Sequence, residues 1–144
     1  MRTVDYIDGY EDVYQPVPEE DIATVEKELD CILPEGLKEM YRNPNIELIT
    51  KLPDMLWPIH HSSLGIIERN RWLRDSGYHD FPPALIVFAS GGCGDYWVIN
   101  KAGNSILYID PDESIEANLM STGFPTLKFD NYSLWLKYEL RPRD

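Results

Sequence analysis

Leu85-Ile86-Val87-Phe88-Ala89 and Tyr96-Trp97-Val98-Ile99-Asn100 flank the turn Ser90-Gly91-Gly92-Cys93-Gly94-Asp95. Both flanks are short apolar runs rich in β-branched and aromatic residues, the composition of buried strands. Gly91, Gly92 and Gly94 tolerate positive φ and close backbone approach, so the turn joins two strands of one sheet. Asp95 suits such a turn, its carboxylate accepting backbone N–H bonds. Further along, Ser105-Ile106-Leu107-Tyr108-Ile109 is a third run, reached through Lys101-Ala102-Gly103-Asn104. So short a connection makes residues 96–100 and 105–109 antiparallel neighbours. Asp110-Pro111-Asp112-Glu113-Ser114 reads as the loop that follows.

Upstream, residues 1–18 are acidic, contain tyrosines and end at Pro16-Val17-Pro18, reading as an extended arm or a first edge strand. The domain proper spans 19–144. Glu19, Glu20 and Asp21 favour the positive end of a helix dipole, and Ile22, Val25 and Leu29 give that helix an apolar stripe. Leu33-Pro34 interrupts it. Pro34 can open a second short helix with Leu37, Met40 and Tyr41 inward, ended by Asn43-Pro44-Asn45. Ile46-Glu47-Leu48-Ile49 and Met55-Leu56-Trp57-Pro58-Ile59 read as short strands, the second an edge because of Pro58. Ser62 and Ser63 suit the N-cap of a helix reaching about Asp75, with Gly77 beyond its end. Asp130 or Asn131 caps a last helix containing Leu134, Trp135 and Tyr138. The expected fold is a single-domain α+β structure, a mainly antiparallel sheet packed with about four helices.

At 144 residues the chain is about one domain long. Its hydrophobic fraction of 43% is that of a folded protein. No apolar run nears the ~20 residues that span a bilayer, and Met1-Arg2-Thr3-Val4-Asp5-Tyr6 opens no apolar leader. The expectation is a cytoplasmic protein with no membrane partner, in which Cys31 and Cys93 remain free thiols. The net charge of −12, from 25 acidic and 13 basic residues, repels phosphates and argues against nucleic acid.

The order of these segments resembles the SUKH superfamily (the SMI1/KNR4-like domain). The resemblance rests on the helix with Ile22, Val25, Glu26 and Leu29, on Leu33-Pro34-Glu35-Gly36-Leu37-Lys38-Glu39-Met40-Tyr41, and on an apolar strand, Gly94-Asp95 and Tyr96-Trp97-Val98-Ile99. It continues through the Asp110 region and the aromatic final helix, covering roughly residues 19 to 140. It implies an α+β domain with no known catalytic reaction. Many bacterial members look like immunity proteins that bind and neutralise a toxin, and fungal members are interaction modules linked to cell-wall regulation. The implied function is therefore a non-enzymatic protein-binding domain that neutralises a toxin stoichiometrically. The alternatives are a regulatory or scaffold module, and a small Cys- or metal-dependent hydrolase.

The residues themselves give the hydrolase little support. Zinc needs three or four converging ligands. His60 and His61 are adjacent, so on a strand they face opposite ways, and His79 lies in a loop. Cys93 is followed by a strand, whereas a nucleophile elbow runs from strand to helix. The glycine turn has no lysine or following helix to hold phosphate. No catalytic, metal-binding or cofactor-binding residue is assigned, and no cofactor is expected. Gly91, Gly92, Gly94 and Asp95 read as a structural turn. Asp110, Asp112, Glu113 and Glu116, with Glu11-Asp12 and Glu19-Glu20-Asp21, can face a basic toxin domain and speed its association. Trp72 and Tyr78, with Arg69, Arg71 and Arg74, form a candidate binding rim, since aromatic residues and arginine are enriched at interfaces.

Overall fold

A computed structural model describes residues 13–59, 65–76, 81–91, 94–110, 112, 118 and 128–142. Five strands form one antiparallel sheet in simple sequence order: β1 (Met55–Leu56), β2 (Leu85–Ser90), β3 (Tyr96–Asn100), β4 (Ser105–Ile109) and β5 (Lys128–Phe129). The glycine turn joins β2 to β3, and residues 101–104 join β3 to β4 with Asn100 opposite Ser105. Leu85 to Ala89 and Tyr96 to Ile99 are buried without alternation. Such continuous apolar runs belong to central strands covered on both faces.

Five helices occur among the described residues: α1 (Glu19–Leu29), α2 (Glu35–Arg42), α3 (Ile46–Lys51), α4 (Ile66–Ser76) and α5 (Tyr132–Glu139). The stripe of α1 is buried as its spacing predicts, through Ile22, Val25 and Leu29. Leu37, Met40 and Tyr41 bury the inner side of α2, and Pro34 stands just ahead of that helix rather than inside it. Asn131, rather than Asp130, caps α5, its side chain accepting from the Leu134 N–H. Trp135 of α5 packs against Phe88 with ring centroids 4.8 Å apart. Trp97 adds contacts to Trp135 at 6.0 Å and to Tyr138 at 6.2 Å.

The stretch 46–49 corrects the strand expected there: it lies in helix α3. Asn45 caps it by accepting from the Leu48 N–H at 3.0 Å, and Ile49 is buried. Four residues are too few for periodicity to separate strand from helix, and the Asn cap decides. The edge strand is also shorter than expected, stopping at Leu56.

Beyond Leu56, α4 closes the open edge of β2. The Val87 N–H donates to Asn70 Oδ1 at 2.9 Å, and Asn70 Nδ2 donates to Val87 O at 2.8 Å. The buried amide of Asn70 thus replaces a missing strand neighbour, beside a register shift between Val87 and Ala89. The lead-in to α1 joins no strand among the described residues. Tyr14 and Val17 are buried, the Tyr14 hydroxyl donates to Leu56 O, and the Val17 N–H donates to Tyr41 O at 2.9 Å. The expected caps at Ser62, Ser63 and Gly77 lie outside the described residues.

Candidate protein-binding surface

The meander gathers one end of the sheet from segments far apart in sequence. Met55 pairs with Ser90, Ser90 with Tyr96, and Tyr96 with Ile109. Asp54 before β1, Asp95 in the glycine turn and Asp110 after β4 therefore meet at that end. All three carboxylates bear on Tyr108, whose hydroxyl is hydrogen-bonded to Asp95. Burial first, then the Asp95 hydrogen bond and the three negative charges, push the Tyr108 phenol above its ordinary range. Asp54 Oδ2 accepts from Trp97 Nε1 at 2.6 Å.

The turn itself is built on close approach. The Gly91 N–H donates to Asp95 O at 3.0 Å, and Gly94 adopts φ +80°. The Asp95 carboxylate lies directly over Gly91, and its Oδ1 is buried without a hydrogen bond. Among the described residues, the Asp95 carboxylate engages the Tyr108 side chain from β4. Gly92 and Cys93 lie outside the described residues.

The loop after β4 is pinned at its root. The Asp110 N–H donates to Asn118 Oδ1 at 2.8 Å, and Asp110 Oδ1 accepts from the Asp112 N–H at 2.9 Å. Asp112 is exposed. Glu113 and Glu116 lie outside the described residues, as do Glu11 and Asp12. Sequence reasoning missed Asp54 and Tyr108. The only local cues were the place of Asp54 just before one apolar run and of Tyr108 within another.

The arginines expected around Trp72 go three ways. Arg71 pairs with Glu28 of α1. The Arg69 guanidinium stacks over Trp57 at 3.9 Å from the ring centroid. Arg74 turns inward, its Nε and Nη2 buried without a hydrogen-bond partner. Trp72 stays exposed, and Tyr78 lies outside the described residues.

A pocket of about 540 Å³ opens between the end of α1 and the β3–β4 hairpin, with Cys31, Ile32 and Lys101 in its wall. Its charged groups are satisfied internally. Lys101 Nζ donates to Asp30 O at 2.9 Å, and Glu26 meets Lys38 at 3.4 Å. Burial, reinforced by the Glu26 carboxylate, pushes the Cys31 thiol up to about 11, where it is a poor nucleophile at neutral pH. Among the described residues no group of three or more His, Cys, Asp or Glu side chains can hold a metal ion. His60, His61, His79 and Cys93 lie outside those residues. No described helix is long and apolar enough to cross a membrane.

These features define an α+β domain with a five-stranded meander and an acidic sheet end. The chain belongs to the SMI1/KNR4 family (SUKH-1), which it matches over residues 16–128. Neither the curated proteins nor the solved structures searched contain a match to it.

Proposed function

We propose that this chain is a non-enzymatic binding domain of the immunity type, which neutralises a basic toxin domain by stoichiometric occlusion. The observation that carries the reading is the convergence of Asp54, Asp95 and Asp110 around Tyr108, in a chain of net charge −12. Family membership supports a binding role, and many SUKH members look like immunity proteins. A nuclease toxin must attract phosphates and is therefore basic where it acts. An acidic surface complements that region, accelerates encounter and blocks access to the substrate.

The test is co-expression with the product of a neighbouring toxin-type gene, followed by purification and calorimetry. A 1:1 complex that abolishes toxin activity supports the reading. Asp110→Lys with Asp112→Lys is expected to slow association and to flatten its dependence on salt. A complex whose association rate ignores both salt and these reversals would rule out this surface as the contact. Failure to form any complex would remove the immunity role.

A further inference from the structure

The outer side of β1 is closed by side chains. The Trp57 N–H donates to Phe88 O of β2 at 2.8 Å. In a trans peptide the carbonyl points opposite to the N–H that follows it, so Leu56 O faces away from β2. Tyr14 meets it there, donating its hydroxyl from the buried lead-in to α1. Tyr41 of α2 makes a matching bond one residue on, its hydroxyl donating to Trp57 O, while its own carbonyl accepts from the Val17 N–H at 2.9 Å. The lead-in, α2 and the end of β1 are thereby tied into one ring of contacts.

Residues 14–18 lie on this edge without becoming a strand of it. They form neither helix nor strand, and Pro16 and Pro18 have no N–H to offer a ladder. Tyr14 and Val17 are buried anchors, while Gln15, Pro16 and Pro18 are exposed. On its inner side β1 pairs with β2 over two residues only, Met55 with Ser90 and Leu56 with Ala89. So short a strand owes its position to both sides. Asp54 stands directly before β1, and its Oδ2 accepts from Nε1 of Trp97, buried in β3, at 2.6 Å. That bond keeps its length only while β1 keeps its place.

We propose that residues 14–18 are a strap, and that Tyr14 is a positioning residue which holds Asp54 at the acidic sheet end by fixing β1 from its outer side. Lifting the strap strips the Leu56 carbonyl of its donor and loosens Asp54, while Asp95 and Asp110, carried by other segments, stay in place. The inference rests on the reading of the acidic sheet end as the contact surface. It adds that the geometry of this surface is coupled to a segment lying outside the sheet.

The test uses the full chain labelled with nitrogen-15, with no partner present. Tyr14→Phe keeps the buried ring and removes only the hydroxyl. It is expected to move the Trp97 indole proton upfield, the direction of a lengthened hydrogen bond. It is also expected to speed exchange of that proton about two- to ten-fold beyond any change at the Ile99 amide, the range for one hydrogen bond. Ile99 is the reference because it sits between Ile86 and Ile106 in the middle of the sheet. Val17→Ala trims the second anchor, leaves every hydroxyl in place, and is expected to disturb the same indole more weakly. An unmoved Trp97 indole in Tyr14→Phe overturns the proposal. So does equal acceleration at Trp97 and Ile99 with an unchanged shift, the mark of a merely structural role that opens all sites alike. A response to Tyr14→Phe with none to Val17→Ala would reduce the strap to one hydrogen bond and overturn it as a unit. The charge reversals at Asp110 and Asp112 are read separately: were they without effect on association, the acidic contact would fall and the hold of Tyr14 on Asp54 would stand.

Discussion

The Asp95 carboxylate occupies the space that a side chain at position 91 would need: a Cβ on Gly91 would lie 2.3 Å from Asp95 Oδ1. Asp95 cannot easily yield, because the Tyr108 hydroxyl holds it. Gly91→Ala is therefore expected to displace the carboxylate and break that hydrogen bond, at a cost of about 1–3 kcal/mol. Denaturant unfolding of Gly91→Ala, Asp95→Ala and the double variant measures the coupling. The Gly91 substitution should cost much less once Asp95 is removed, and strictly additive effects would show that the two residues do not compete for space.

Asn70 supplies a second sharp test. Its side chain serves both the N–H and the carbonyl of Val87, and Nδ2 also donates to Ile66 O at 2.8 Å. Asn70→Leu keeps roughly the volume and strands these backbone groups in the core. The expected loss is about 2–4 kcal/mol, in line with leaving buried polar groups unmatched. Amide exchange at Val87 should accelerate more than at Ile99 on the neighbouring strand. Equal protection at both sites would mean that Asn70 is not what shields the edge of β2.

Arg42 ties α1 to α2 by donating to both Glu19 and Glu35. Those hydrogen bonds hold both carboxyls below their ordinary value of 4.5. A lowered folded-state value means that the unfolded chain binds protons more readily. The resulting stability is fully present above 4.5 and fades as the pH falls through the lower folded values. Arg42→Ala should flatten this acid limb and lower the denaturation midpoint near neutrality by the same small amount, small because both carboxyls are exposed. Parallel acid limbs for the two proteins would exclude Arg42 as the cause.

The strands around the glycine turn were legible because each is a continuous apolar run with an abrupt end. Helix α1 was legible because Ile22, Val25 and Leu29 keep a helical spacing. Residues 46–49 were not, since one cap at Asn45 outweighed a pattern too short to carry a period. The binding surface was half legible. Asp95 and Asp110 stood out singly as turn residues, but only the meander's register sets them beside Asp54 and Tyr108. The fate of the three arginines on α4 depended on Glu28, on the ring of Trp57 and on the interior, none of which is local to them.

Cys31 closes the set with a chemical measurement. Burial comes first among the causes that raise its thiol from 9.0 to about 11, and the Glu26 carboxylate adds to it, while Lys101 and Arg74 pull the other way. The two-unit rise lowers the thiolate fraction at pH 8 about a hundred-fold. Alkylation by iodoacetamide, followed by peptide mapping that separates Cys31 from Cys93, should find Cys31 nearly inert at pH 8. Its rate should climb about ten-fold per pH unit toward 11, because only the thiolate attacks. A rate that levels off near pH 9 would show that the thiol titrates as an exposed cysteine does. Lys101→Ala removes one of the two opposing cations and should shift the profile further up. No shift would mean that Lys101, held by Asp30, exerts no field at the sulfur.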